Sequence, residues 1–193
     1  MTARAAFATG ILIVASMITA ANGQAILPNA NVFVGYSYEN FRTNPIAPLA
    51  TSYSKNFNGF EVSGEGQIFP FLGIVADFSS HYGNATGAGP LCPGPTCPGS
   101  VSYNVHDQTY LFGPRASVSV GKITPFAQAL FGVGRLASSS TSNTSFATAI
   151  GGGADWKIAG PFAWRVQGDY LRTKFFGDHQ NNFRASTGLV FRF

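Results

Sequence analysis

From about residue 31 onward the hydrophobic positions of the chain recur at every second residue, in eight separate segments. A repeat of two puts alternate side chains on opposite faces of an extended strand, so each segment is predicted to be a β-strand. The first covers Asn31 to Phe41, where Val32, Val34, Tyr36 and Tyr38 oppose Gly35, Ser37 and Glu39. The second covers Asn58 to Phe69, with Phe60, Val62, Gly64, Gly66 and Ile68 opposite Glu61, Ser63, Glu65 and Gln67. The third, Phe71 to Tyr82, sets Leu72, Ile74, Ala76 and Phe78 against Gly73, Val75, Asp77 and Ser79. The fourth, Tyr103 to Val118, sets Tyr110, Phe112, Pro114 and Ala116 against Thr109, Leu111, Gly113 and Arg115. Proline cannot donate to a ladder, so Pro114 is expected to mark a bulge there.

The fifth segment, Thr124 to Arg135, opposes Ala127, Ala129, Phe131 and Val133 to Phe126, Gln128, Gly132 and Gly134. In the sixth, Phe146 to Lys157, Ala154 and Trp156 oppose Gly153, Asp155 and Lys157. In the seventh, Phe162 to Lys174, Phe162, Trp164, Val166, Gly168 and Tyr170 oppose Arg165, Gln167 and Asp169. The eighth is the ending "NNFRASTGLVFRF", with Phe183, Ala185, Thr187, Leu189, Phe191 and Phe193 on one face and Arg184, Ser186, Gly188, Val190 and Arg192 on the other.

Connections alternate in length. Longer links are expected over Arg42 to Phe57, Gly83 to Ser102, Leu136 to Ser145 and Phe175 to Asn182; tight turns are expected near Pro70, Gly121-Lys122 and Gly160-Pro161. An even number of strands, with long loops at one end and short turns at the other, is the pattern of an up-and-down transmembrane barrel with both termini at the short-turn end.

The placement of charge decides between a soluble and a membrane barrel. Glu61, Glu65, Asp77, Arg115, Asp155, Arg165, Asp169 and Arg184 all fall on the polar parity of their strands, beside Gly, Ser and Gln. The opposite parity is apolar and aromatic, with Trp156, Trp164, Tyr170 and Phe191. A soluble barrel turns its charges to water and its apolar face inward. Few charges among small polar residues, against a continuous aromatic face, fit the inverse: lipid outside and a polar interior. Arg135, Arg172 and Lys174 break the parity, all near the long-link ends, where a snorkelling side chain reaches headgroups.

Composition agrees. Charged residues make up 10% of the 193 residues, against roughly 25% in soluble proteins. The formal net charge of +4 is spread along the chain, with no cluster that reads as a nucleic-acid surface. The N-terminus, "MTARAAFATGILIVASMITAANGQA", has a basic start, a short apolar centre and small residues before a cleavage point after Gly23 or Ala25. Residues 1–25 therefore read as a secretory signal peptide and 26–193 as the mature barrel domain. The apolar run is short for a membrane anchor, which needs about 20 residues. In an oxidising compartment Cys92 and Cys97, in "LCPGPTCPGS", are expected to form a small loop disulfide. They supply too few ligands for a zinc site.

Across residues 30 to 193 the chain resembles the small eight-stranded outer-membrane barrels of the OmpA and OmpX type. The resemblance rests on the order and spacing of "FGPRASV", "PFAQALFGVG", "AIGGGADWKI", "FAWRVQGDYLRT" and the terminal strand. It implies a bacterial outer-membrane location, with periplasmic termini and extracellular long loops. It also implies that Phe191 and Phe193 form the signal through which the outer-membrane assembly machinery reads the last strand. The peptidoglycan-binding domain that accompanies some members is not expected here.

The interior of an eight-stranded barrel is just wide enough for side chains to fill it. The acids Glu61, Glu65, Asp77, Asp155 and Asp169 are therefore expected to neutralise Arg115, Arg165 and Arg184 inside it. Such a network either holds the interior together or gates a narrow path for small solutes. His81, His106 and His179 read as exposed loop residues; Asp178 adjoins His179, and no serine, including Ser138 to Ser140, is fixed beside a histidine as a hydrolase would need. Gly151 to Gly153 is not a phosphate cradle, for want of a strand-to-helix context; it serves close strand packing or leaves room for a large neighbour. Asn84 heads a glycosylation pattern that means little here. The expected function is an outer-membrane barrel with a structural or surface-interaction role, no catalysis, no cofactor and no metal. Its partners are membrane lipid, the assembly machinery and an extracellular ligand on the long loops. The runner-up is a narrow porin-like channel; an outer-membrane lipid hydrolase and a soluble lipocalin-like carrier rank below.

Overall fold

The structure is a computed structural model that describes residues 29–43, 53–88, 100–138, 142–174 and 180–193. The signal-peptide segment, its two cleavage points, and Cys92 and Cys97 lie outside the described residues.

Eight strands follow one another: β1 (Ala30–Thr43), β2 (Tyr53–Phe69), β3 (Leu72–Ala88), β4 (Ser100–Ser117), β5 (Ile123–Ser138), β6 (Ser142–Ala159), β7 (Phe162–Thr173) and β8 (Gln180–Arg192). Each pairs antiparallel with the next, and β8 closes on β1 from Asn31↔Arg192 to Asn40↔Phe183. The Phe193 amide donates to the Ala30 carbonyl at 2.8 Å, and the Arg192 amide to Pro161 at 2.9 Å. Closure leaves no sheet edge, so the backbone satisfies its own hydrogen bonds without water.

The tight turns come where Gly and Pro stand. Gly121 and Gly160 have φ of 63° and 54°, the left-handed region that glycine occupies without steric cost. The ladder shifts register near two of these turns, between Gln67 and Phe69 and between Lys157 and Ala159.

Two expectations are corrected. Pro114 marks no bulge: the β4–β5 register is the same at Phe112↔Phe131 and at Arg115↔Gln128, and Ile74↔Pro114 sits in an unbroken β3–β4 ladder. Pro114 is exposed on the outer face, and pairing with β5 merely lapses beside it. The strands also run further than the alternation suggests. β2 starts at Tyr53 rather than Asn58, β3 reaches Ala88 rather than Tyr82, and β6 starts at Ser142 rather than Phe146. Past the apolar band neither face needs grease, so the hydrophobic period ends while the backbone ladder continues.

The outer wall carries the apolar set. Tyr36, Tyr110, Phe112, Phe131, Ile150, Trp156, Trp164, Val166, Tyr170 and Leu189 are all exposed. Aromatic contacts link neighbouring strands across it, from Phe60 to Phe78 to Tyr110 and from Phe112 to Phe131. An apolar surface this continuous would drive association in water, and it is at home in hydrocarbon. Inside, one apolar cluster (Val75, Leu111, Leu130, Ala147, Ala149, Leu171) lines part of the lumen, and Phe33, Ala163 and Val190 form a second. Phe57 and Phe126 are buried inside as well, and the other buried side chains of the lumen are mostly polar or charged.

Candidate functional site: an ion-paired lumen

The inward parity of the strands stacks polar side chains in three storeys. At the short-turn mouth, Arg115 on β4 donates from Nη1 to Glu65 Oε2 at 2.9 Å, and from Nε and Nη2 to Gln128 Oε1 at 3.0 and 2.5 Å. Arg165 on β7 holds Asp155 with both arms, Nε to Oδ1 at 2.6 Å and Nη2 to Oδ2 at 2.9 Å. That two-point geometry is the strong form of the pair. Arg192 reaches the same carboxylate at 3.2 Å. The Phe126 ring serves both guanidiniums, with Arg115 4.3 Å and Arg165 4.7 Å from its centroid. A cavity of about 220 Å³ opens here, lined by Asn31, Gln67, Ser117, Thr124, Arg192 and Phe193 among others.

The middle storey is built on Arg184 of β8, wholly enclosed. Its Nη1 donates to Asp77 Oδ1 at 2.9 Å and to Ser79 Oγ at 3.1 Å; its Nη2 donates to Asp169 Oδ2 at 2.9 Å. Glu61 Oε2 lies 3.6 Å from Nε. Glu61 also accepts from Gln167 Nε2 at 2.5 Å and Ser186 Oγ at 2.6 Å. Gln128 spans the two storeys: while its carbonyl serves Arg115, its Nε2 donates to Asp169 Oδ1 at 2.7 Å. Gly151 faces Asp169 across the β6–β7 ladder, and a Cβ there would lie 2.2 Å from Asp169 Oδ1. The glycine run leaves that carboxylate its place.

The third storey, toward the long connections, has no guanidinium among its described side chains. His81 Nε2 lies 2.9 Å from Ser37 Oγ, and its Nδ1 lies 3.2 Å from Glu39 Oε2. Asn182 donates to Glu39 Oε1 at 2.9 Å. Asp107 is paired across the ladder with His81 and fully buried, yet no described side chain donates to either of its carboxylate oxygens.

All eight residues singled out from parity stand in the lumen, in two groups joined through Gln128: Glu65, Arg115, Asp155 and Arg165 at the mouth, and Glu61, Asp77, Asp169 and Arg184 above them. The reading missed Glu39, His81, Asp107 and Arg192, and the amides and hydroxyls that bridge the storeys. Glu39 shares the polar parity of Gly35 and Ser37, and that signal was sufficient to find it.

The histidine reading is corrected. His81 is no exposed loop residue but a buried one, and it does have a serine fixed beside it. Ser37, His81 and Glu39 stand in the order of a hydrolase triad, but each is wholly buried and Ser37 Oγ is also taken by Ser186 at 2.9 Å. A nucleophile needs a face open to substrate, and this serine has none. His106 lies on the outer wall, stacked on Tyr82 and bonded to Ser80 at 2.8 Å. It has no acid beside it, because every described carboxylate points inward. His179, Asp178, Ser139 and Ser140 lie outside the described residues. No group of three or more His, Cys, Asp or Glu side chains that could hold a metal occurs among the described residues.

No protein-family model matches the chain, and no curated protein matches its sequence. Solved structures do match. The chain is similar to the attachment invasion locus protein Ail of Yersinia pestis, solved in complex with the heparin analogue sucrose octasulfate, at 14% identity, covering 86% of this chain and 98% of that one, with a TM-score of 0.56. It is similar also to Neisserial surface protein A, at 10% identity over 85% of this chain and 97% of that one, with a TM-score of 0.59. At these identities the shared property is the fold, and the fold is that of the small eight-stranded outer-membrane barrels, in keeping with an OmpA- or OmpX-like architecture.

Proposed function

We propose that this chain is an integral protein of the bacterial outer membrane whose barrel is a sealed, ion-paired scaffold for surface interaction, without catalysis. One observation carries the reading. Arg184 and the three carboxylates around it close the middle of the lumen with none of them exposed. A lumen filled at its waist supports the wall and passes little. In this reading residues 1–25 export the chain, Phe191 and Phe193 present the last strand to the assembly machinery, and the short turns face the periplasm. The long connections stand outside the cell, where Cys92 and Cys97 stiffen a loop tip. Those connections are the interaction surface, since loops on a rigid scaffold are where binding varies. The Ail complex with a sulfated sugar is a case of a ligand on the same fold.

The test is single-channel recording of the purified protein in planar bilayers, with fractionation and heat-modifiable gel migration in parallel. A sealed scaffold fractionates with outer membranes, migrates differently when boiled and gives no openings. Deleting Leu91 to Gly99 removes surface binding and leaves insertion intact. The second reading is a narrow channel, favoured by the 220 Å³ vestibule that leads toward Arg115 and Arg165. Discrete openings that change in Arg165→Ala would establish it.

A further inference from the structure

The described carboxylates all face the lumen, so among the described side chains the outer wall carries no anion. Among the described side chains, Lys122 and Lys157 are exposed beside the short turns, and Arg135, Arg172 and Lys174 are exposed at the opposite rim. These three stand on β5 and at the end of β7, with β6 between them. Arg135 on β5 is paired with Thr144 on β6, and Arg172 on β7 with Thr148 on β6 and Asn181 on β8. Lys174 follows Arg172 on the same face, and its amide donates to Ser145 at 3.3 Å. All three side chains are exposed, and none makes an ion pair with a described residue. On β1 and β2 two neutral pairs bridge the strands, Tyr36 with Asn58 and Asn40 with Asn56.

Height matters as much as charge. From Ala163 to Arg172, at roughly 3.4 Å per residue and a tilt near 40°, β7 climbs about 23 Å, close to the apolar band of such barrels. Arg172 therefore stands at the upper edge of hydrocarbon, with exposed Phe146, Tyr170 and Phe183 around and beneath it. Below that edge one slanting row of outward residues is small on four consecutive strands: Ala127, Gly152, Gly168 and Ala185, each paired with the next. The Phe183 ring leans over Gly168. The same strands thus combine, at headgroup level, cations that form no ion pair with a described residue and a shallow depression in the wall below.

Resting on the reading of an outer-membrane barrel with its long connections outward, we propose that Arg135, Arg172 and Lys174 form a binding site for the phosphorylated sugar headgroup of an outer-leaflet glycolipid, seated on the β5–β7 side of the barrel. Guanidinium forks take phosphate oxygens at two points, and the lysine adds a compact charge. Thr144, Thr148 and Asn181 offer neutral hydrogen bonds to the sugars between them. The acyl chains lie against the aromatic wall and the row of small residues. Side chains on the outer wall at this height meet lipid, whereas a soluble glycan would be met by the loops above.

The test is retention of bisphosphorylated lipid A by the folded full chain in detergent, read by native mass spectrometry and titration. Three comparisons run beside it: lipid A stripped of its phosphates, phosphatidylglycerol, and inorganic phosphate as competitor. R135Q/R172Q/K174Q is expected to bind bisphosphorylated lipid A at least about tenfold more weakly than the parent, each cation near an anionic surface being worth roughly that much or less. K122Q/K157Q, which removes the cations of the other rim, is expected to bind like the parent. Equal binding by the triple variant, equal retention of the dephosphorylated lipid or phosphatidylglycerol, or displacement by millimolar phosphate alone would overturn the site. Heat-modifiable migration of each variant separates this failure from failure of the barrel itself, which would abolish the gel shift in the parent too.

Discussion

The two ends of the lumen are furnished by different rules. Toward the short turns each acid meets a guanidinium: Glu65 with Arg115, and Asp155 with Arg165 and Arg192. Toward the long connections Glu39 and Asp107 share a storey with His81 and, among the described side chains, no arginine. Between them Arg184 serves three acids at once. The comparison teaches where this barrel is held together. Removing one partner of a buried pair leaves the other charged and dry, which costs far more than the pair contributed. The mouth and the waist are thus expected to be intolerant of change, and the upper storey, where no described arginine or lysine meets Glu39 or Asp107, more tolerant.

Substitutions can break or sharpen that contrast. The largest effect is expected from Arg184→Ala, which strands Asp77, Asp169 and Glu61 together; a loss of about 3–5 kcal/mol follows from the cost of uncompensated buried charge. The midpoint of urea unfolding in detergent, followed by the gel shift, reads it. Arg165→Ala should cost less, about 2 kcal/mol, because Arg192 still reaches Asp155 and water enters the mouth. The order of these two midpoints is the sharper check; a reversal would place the keystone at the mouth instead. His81→Gln removes the hydrogen bond to Ser37 and the 3.2 Å contact with Glu39 and should cost about 1 kcal/mol. Asp107→Asn is expected to leave the midpoint unchanged or raise it, by up to about 1 kcal/mol, since it removes a buried carboxyl to which no described side chain donates. A marked fall in Asp107→Asn would reveal a partner that the upper storey is said to lack.

Much of this was legible in the residues. Parity alone sorts Glu61, Asp77, Arg165 and Asp169 inward and Trp164, Val166 and Tyr170 outward, because a strand has only two faces and one of them is bathed in lipid. Strand ends were less legible. Tyr53 to Phe57 and Gly83 to Ala88 lie in β2 and β3, but above the membrane their pattern loses its contrast. Partners inside the lumen were not legible at all. Sequence does not tell that Gln128 joins Arg115 to Asp169, or that Arg184 reaches from β8 across to Asp77 on β3, since these depend on the tilt and stagger of the closed wall. His81 was misread for a related reason. A histidine near a strand end reads as a loop residue unless the ladder is known to continue past it, as it does to Ala88.

The account stands on the direction the sheet faces, and the two tryptophans report on it directly. Trp156 and Trp164 are the protein's only ones, directly paired on β6 and β7 and exposed on the outer wall. In vesicles of lipids brominated along the acyl chain, their fluorescence should be strongly quenched, most by bromines near the interface and least by those at the bilayer centre. Emission that brominated lipid leaves untouched, but that a water-soluble quencher reaches or that stays shielded from both, would contradict it.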